Sequence, residues 1–339
     1  MEYDKIKFAK LYHSARKKAE KEIKTCYHPN CNLNSINSHI LQKNGILSSI
    51  AKENHLWEHQ INQFREENFY FKKTGINEVF SFKCFCKKHD NELFQKIEST
   101  KDIDFKDYKS LLLFTLRTLY NEKFKKEVAI RMFELFIENG DFNDNQKNLF
   151  REDINQQKLG INDIEKNELD IWSDLNSQSE SFVFEYREIN RVEMCVSAFY
   201  NYETTLEMNQ YRFKYGSDME RISVIFLNLF PYKNKSILIM GYNKKDETKV
   251  KSYFYTFFKE SEKRLQRKLT NLFLFAFETW VISEKFYNQK IKGIEEIVSF
   301  GTKLMIKSLN ERLYYPLNFC SNNFKSDMKK WKKTFANTV

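Results

Sequence analysis

The apolar residues of this chain follow a helical period in some regions and a strand-like pattern in others. Residues 104–140 carry apolar side chains at three- and four-residue spacing, which predicts one long helix, and residues 247–311 show the same period. Short runs rich in β-branched and aromatic residues predict strands. Four such runs occur, at residues 182–184, 194–199, 222–227 and 237–240. Pro231, Asn234 and Lys235 lie between the last two runs and predict a turn that joins them as an antiparallel pair.

Glycine and proline are scarce, with 8 and 3 copies in 339 residues, whereas phenylalanine and tyrosine are abundant. Few turn-forming residues in a long chain favour long helices over a many-stranded barrel or sandwich. The scattered glycines exclude a Gly-rich phosphate loop. The most apolar stretch, residues 272–282, is too short to span a bilayer, and residues 1–24 lack the apolar core of a signal peptide. We therefore expect a cytoplasmic protein that does not contact membranes.

Charge is distributed unevenly along the chain. Residues 1–89 contain 16 Lys and Arg against 9 Asp and Glu, whereas residues 141–190 contain 5 against 12. A basic head next to an acidic segment is suited to contact phosphates, although a solvated basic surface would give the same counts. We expect nucleic acid as the partner, with DNA favoured over RNA. The basic residues expected to contact it are Arg16, Lys17, Lys18, Lys87 and Lys88.

All six histidines and four of the six cysteines lie within residues 1–89. They are His13, His28, His39, His55, His59 and His89, with Cys26, Cys31, Cys84 and Cys86. Thiolate and imidazole are the side-chain ligands that Zn²⁺ prefers. In a large chain without a secretion signal, cysteines are more often reduced or metal-bound than paired in disulfides. The sequence therefore predicts a metal-binding module at this end of the chain.

Two close pairs of these residues have the spacing of zinc ligands. Cys26 and Cys31 flank Tyr-His-Pro-Asn, in which His-Pro-Asn is typical of a tight turn, as in a zinc knuckle. Cys86 and His89 immediately precede a helix predicted from residue 91. A knuckle combined with two ligands at a helix start is a treble-clef arrangement, and we expect it to hold structural Zn²⁺.

The sequence leaves the ligand set open. Cys84 is an alternative to Cys86, and His28 is an alternative to a member of either pair. A group of thiols that binds no metal is the remaining interpretation.

The residues Ser38-His39-Ile40-Leu41-Gln42-Lys43 lie between the two ligand pairs. Here the chain resembles the HNH nucleases, whose treble-clef hairpin places a histidine after the first knuckle and a metal ligand on the helix after the second. The resemblance implies that His39 is the general base that activates water. It also implies that Asp90, directly after His89, is a ligand of a catalytic Mg²⁺ or Mn²⁺. The chain departs from the pattern at Ser38, where many members have an acidic or histidine metal ligand.

His55-Leu-Trp-Glu-His59 matches the HxxEH pattern of zinc peptidases. On a helix, His55 and His59 would lie one turn apart and share an ion, with Glu58 as the base. The aromatic and β-branched residues between 56 and 61 equally favour a strand, which would separate the two histidines. Peptidase activity is therefore a minor alternative.

The combined pattern predicts an α+β fold in three parts. Residues 1–100 form a zinc-binding, HNH-like head, residues 101–180 form a helical segment with an acidic hinge, and residues 181–339 form an α+β domain with a small antiparallel sheet. This layout resembles bacterial proteins with a Cys/His head, some of which act in defence against phage. The expected function is a metal-dependent nuclease, with a non-catalytic zinc-stabilised module that binds nucleic acid or protein as the alternative. A protein partner would bind through the C-terminal domain.

Overall fold

The computed structural model describes residues 2–61, 69–98, 102–139, 141–201, 222–303 and 316–336. These residues form an α+β protein, as the sequence predicts. The longer helices are α1 (Glu2–Glu22), α2 (Lys87–Glu98), α3 (Tyr108–Glu138), α4 (Asp144–Asn176), α5 (Glu247–Lys259), α6 (Glu262–Phe275), α7 (Glu295–Lys303) and α8 (Phe324–Ala336). The strands are β1 (Asn37–His39), β2 (His55–Ile61), β3 (Phe69–Gly75), β4 (Ser81–Lys83), β5 (Phe182–Asn190), β6 (Met194–Tyr200), β7 (Ile225–Tyr232), β8 (Lys235–Asn243) and β9 (Trp280–Ile282).

The chain divides into two compact units, and one of them is interrupted by part of the other. The first unit comprises Met1–Ile40 and Phe80–Ser181, and the second comprises Leu41–Val79 and Phe182–Val339. Residues 41–79 therefore belong with the C-terminal part of the chain, whereas the sequence pattern groups them with the head. They do so because β2 hydrogen-bonds to β9, more than 200 residues later, with Glu58 opposite Val281.

The first unit combines a two-stranded antiparallel ribbon with four helices. In the ribbon, β1 pairs with β4. The knuckle, residues 26–31, precedes β1 in the chain, and α2 follows β4. Helix α3 begins at Asp107, whose carboxylate accepts a hydrogen bond from the Ser110 backbone N–H at 2.6 Å. Helix α1 packs on α3 through buried Ala15 and Ala19 against Val128, Met132 and Phe136.

The segment predicted as an acidic hinge is instead the continuous 33-residue helix α4. A capping box starts this helix, because the Asn143 side chain accepts from Gln146 N and the Gln146 side chain accepts from Asn143 N. Ile154, Ile164 and Ile171 are buried along one side. Seven of the eight acidic residues of α4 are exposed or half-buried and Asp174 alone is buried, so a high charge density does not interrupt the helix.

The second unit is built on a seven-stranded antiparallel sheet in the order β3-β2-β9-β6-β7-β8-β5. The four sequence-predicted strands correspond to β5, β6, β7 and β8, and the predicted antiparallel pairing of the last two is confirmed. The turn between them is Lys233-Asn234, while Pro231 and Lys235 lie within the strands opposite Ser236 and Tyr232. The sheet is larger than predicted because β2, β3 and β9 join it.

Helices α5 and α6 contribute buried apolar residues to the core of the second unit together with the strands. The predicted helical region 247–311, of which residues 304–311 lie outside the described part of the chain, is interrupted, because Trp280–Ile282 forms the fully buried strand β9. Three buried apolar residues in succession, including Val281, are typical of a strand with both faces covered. Among the helices of the described residues, none combines the length with the hydropathy that a membrane-spanning segment requires.

Candidate metal centre

The first two cysteines are held by a short hairpin with a tight turn. Cys26 N donates to Leu33 O at 2.9 Å, and Cys31 N donates to His28 O at 3.1 Å. The second bond closes a four-residue turn with Pro29 at its second position and Asn30, at φ +61°, at its third. Proline followed by a residue with positive φ is the pattern of a type II turn. The turn returns the chain sharply, so both thiols face the same side.

The second pair of side chains lies where α2 begins. Asp90 N donates to Cys86 O at 2.9 Å, which makes Cys86 the residue that starts the helix. His89 follows three positions later and therefore lies above Cys86 in the first turn. Tyr27 N donates to Cys84 O at 3.0 Å and Ile36 N donates to Phe85 O at 2.8 Å. These backbone bonds hold the knuckle against the segment that leads into α2.

The four predicted zinc ligands, Cys26, Cys31, Cys86 and His89, form one cluster whose ligand atoms all lie within 4.8 Å of one another. His89 Nδ1 is 3.5 Å from Cys26 Sγ and 3.4 Å from Cys86 Sγ. In tetrahedral zinc sites, bonds of about 2.3 Å to sulfur and 2.0–2.1 Å to nitrogen place such atoms about 3.6 Å apart. The spacing thus fits a single Zn²⁺ bound through Nδ1 of the histidine.

The electrostatic surroundings act differently on the individual ligands of the cluster. Burial raises the pKa of the Cys26 thiol to about 11, and backbone N–H groups of Cys86 and His28 act in the opposite direction. Burial opposes ionisation of Cys86 too, but hydrogen bonds from the His89 N–H, the Cys26 and Cys31 thiols and the Lys88 N–H outweigh it, so the pKa of the Cys86 thiol is lowered. Burial and the neighbouring His28 lower the pKa of His89, which favours the neutral imidazole that binds metal.

Neither alternative ligand belongs to the cluster. Cys84 is fully buried and lies outside the group of four. The His28 ring stacks on the His89 ring, with centroids 3.7 Å apart and 12° between the planes. Trp172 meets the His28 ring edge-on at 5.0 Å. His28 therefore supports the orientation of a ligand, as residues around metal sites commonly do.

The two predicted catalytic residues lie on adjacent elements of the first unit. His39 ends β1 opposite Ser81 of β4, and Asp90 lies in the first turn of α2. Burial raises the pKa of Asp90, while Arg117, the Ser38 hydroxyl and His39 lower it, so all three lie within electrostatic range of the carboxylate. Ribbon and helix together form a ββα arrangement beside the four-residue cluster.

A buried cation beside Asp90 is a feature that the sequence patterns do not predict. Arg117, from α3, has a side chain only 1% exposed, and its Nη2 lies 3.5 Å from Asp90 Oδ1. Its Nη1 pairs with Glu98, and its guanidinium lies 3.8 Å from the centroid of the Phe94 ring. In the sequence, Arg117 is a single charge within an apolar stretch of helix, which is typical of a surface position and does not predict burial. Only the packing of α3 on α2 brings it to the site.

The predicted phosphate contacts are exposed, but most of those on α1 are paired. Arg16 Nε lies 2.9 Å from Glu20 Oε1, and Lys18 Nζ lies 3.9 Å from Glu22 Oε1. Lys17 is exposed on the same helix. The other two predicted contacts, Lys87 and Lys88, are exposed in the first turn of α2 beside His89.

The HxxEH residues lie on the extended strand β2. Four residues of strand span about 13 Å, which is too far for His55 and His59 to share an ion. His59 is fully buried, and its ring stacks on Phe69 and Trp280 with centroids 5.4 and 5.0 Å away. The motif therefore belongs to the sheet core, and the helical geometry required for a peptidase is not formed.

Comparison with models of protein families, with curated proteins and with solved structures finds no match for the chain.

Proposed function

We propose that the protein is a zinc-stabilised, divalent-metal-dependent nuclease of the HNH type that acts on DNA. The observation that carries this proposal is the ββα arrangement that brings His39 and Asp90 into electrostatic range beside a cluster fit for structural zinc. The sequence resemblance assigns the same two residues as base and metal ligand. The ββα arrangement and the sequence resemblance therefore support the same proposal, metal-dependent hydrolysis of a phosphodiester.

In this proposal the roles divide among the chain's own side chains. The His39 imidazole takes a proton from the attacking water. Ser38 Oγ and Asp90 Oδ1 are buried without a hydrogen bond of normal geometry, and Asp90 Oδ1 faces the Arg117 guanidinium. A hard cation such as Mg²⁺ or Mn²⁺ would bind these two oxygens beside that guanidinium. Such a cation, when bound, supplies positive charge that stabilises the scissile phosphate and the leaving oxygen. Lys87 and Lys88 attract the backbone of the substrate.

A second function is favoured by the ion pair of Arg117 with Asp90. The guanidinium already supplies a positive charge to the carboxylate, which reduces the need for a metal ion there. In that case the same zinc-stabilised unit binds nucleic acid without cutting it. A role in phage defence stays a prediction from the layout of the chain.

The test is incubation of supercoiled plasmid with purified protein and Mg²⁺ or Mn²⁺. We expect His39→Ala to lower the cleavage rate by about 100-fold or more, the range that a general base contributes. His55→Ala is the matched control, because His55 is exposed and its ring nitrogen Nδ1 lies against the Glu53 carbonyl oxygen, at 2.7 Å. If the protein slows the migration of the plasmid in the gel without cutting it, equally in all variants, the non-catalytic binding function would replace the nuclease as the proposed function. A protein that neither cuts nor retards DNA contradicts both.

A further inference from the structure

We infer that helix α8 of the second unit is a binding surface for the phosphate backbone of nucleic acid. The surface, called here the α8 lysine face, consists of Ser326, Lys329, Lys330 and Lys333, all of them exposed. It goes beyond the proposed nuclease function, because it lies in the other unit and requires no catalysis.

The geometry of α8 fixes which side chains point outward. Phe324, Met328 and Trp331 are buried in the core of the second unit. At about 100° per residue, these three share one side of the helix, and the α8 lysine face is centred on the opposite side. The helix contains five lysines and one aspartate, Asp327, which lies off the outward side. The lysines of the α8 lysine face therefore lie on a helix that is held in place by its packing against the core.

Among the described residues, no neighbouring carboxylate neutralises the charge of this face. Lys329, Lys330 and Lys333 make no ion pair within the described residues, in contrast with Arg16 and Lys18 of α1, which pair with their own helix. Unpaired surface cations on one helix face create a local positive potential that attracts polyanions.

More positive charge lies next to the N-terminal half of α8. The Lys325 ammonium donates to Lys292 O at 2.7 Å and to Asn288 O at 3.2 Å, so residues 288–292 contact the helix. Lys292 is exposed in this segment. Burial lowers the pKa of the neighbouring Lys290, and the charge of Lys325 acts in the same direction. The basic surface thus extends beyond a single helix.

Nucleic acid fits this surface better than an anionic membrane does. A helix that binds membranes in their plane inserts an apolar face beside its basic face. The apolar face of α8 is already buried, with Phe324 and Met328 fully inaccessible. The outward side offers ammonium and hydroxyl groups, which match phosphate oxygens and not acyl chains.

The test is fluorescence anisotropy with a labelled mixed-sequence DNA, single-stranded and duplex, between about 50 and 200 mM salt. We expect Lys329→Gln/Lys333→Gln to weaken binding at least about fivefold at the low-salt end. We also expect the slope of log K against log salt to become shallower by about 2, because each removed ammonium leaves one phosphate without its cation. Lys158→Gln/Lys166→Gln is the matched control, because both lysines are exposed on α4 and the change in net charge is identical.

Unchanged affinity and slope in the α8 variant, equal losses in both variants, or no binding by the wild-type chain would overturn the inference. Binding to vesicles of anionic lipid that requires Lys329 and Lys333, without any effect on DNA, would overturn the choice of nucleic acid. The plasmid-cleavage test of the proposed function scores His39 and does not involve the α8 lysine face. Failure of this inference therefore leaves the plasmid-cleavage test of the proposed function unaffected.

Discussion

Replacement of Arg117 by methionine tests whether the buried guanidinium holds the candidate site together. The Arg117 side chain is 1% exposed and pairs with Asp90 and Glu98, whose side chains are 13% and 31% exposed. Methionine keeps much of the apolar contact with the Phe94 ring but removes the charge. Both carboxylates would then lose their cation in a largely buried setting.

The magnitude follows from the burial of the partners. Breaking a fully buried ion pair by removing one member costs about 3–5 kcal/mol. Glu98 is partly exposed and can be hydrated when its partner is lost, so we expect the lower end, about 3 kcal/mol, for Arg117→Met. The control Arg16→Met removes an exposed arginine whose pair with Glu20 lies in solvent, and its effect should stay below about 1 kcal/mol.

The assay is urea unfolding of the zinc-loaded protein, extended by Asp90→Asn and by the double variant with Arg117→Met. If the two residues interact as the structure places them, the double variant loses less stability than the sum of the single variants, by about 0.5–3 kcal/mol. Additive losses would refute the pairing. So would an Arg117→Met variant within about 0.5 kcal/mol of the wild type, the range of ordinary surface changes.

Three further outcomes follow from the structure. Cys86→Ala should lose bound zinc while its close neighbour Cys84→Ala keeps it, measured as metal per chain after dialysis; equal retention would contradict the ligand set. His89→Ala should likewise release zinc and His28→Ala should not. Burial lowers the pKa of His59 to about 4. The unfolded chain then binds a proton that the folded chain excludes, so stability should fall by about 2 kcal/mol between about pH 7 and pH 5. In urea unfolding, the His59→Phe variant should not show this loss of stability. An equal loss in the variant would contradict the assignment of the effect to His59.

The ligand cluster could be predicted from the sequence because its geometry is largely local. Cys26 and Cys31 are joined by a turn whose Pro-Asn pair is visible in the sequence, and Cys86 and His89 share one turn of helix. The choice of Cys86 over Cys84 could not be made, because both precede the helix and only the fold decides which thiol meets the knuckle.

The position of residues 41–79 and the role of Arg117 were outside the reach of sequence patterns. Pairing of β2 with β9 joins segments more than 200 residues apart, and alternation along a strand does not identify its partner. Arg117 lies in an apolar helix where a single charge resembles a surface position. Its burial depends on the carboxylates that α2 brings to it. Long-range contacts of this kind have no local signature.

In the proposed metal centre, three thiolates and one imidazole of the first unit coordinate a single zinc ion. X-ray absorption at the zinc edge, combined with elemental analysis of the purified chain, tests this coordination most directly. We expect one zinc per chain with three sulfur neighbours at about 2.3 Å and one nitrogen at about 2.0–2.1 Å. A metal-free chain, or a zinc shell of nitrogen and oxygen without sulfur, would contradict the proposed centre.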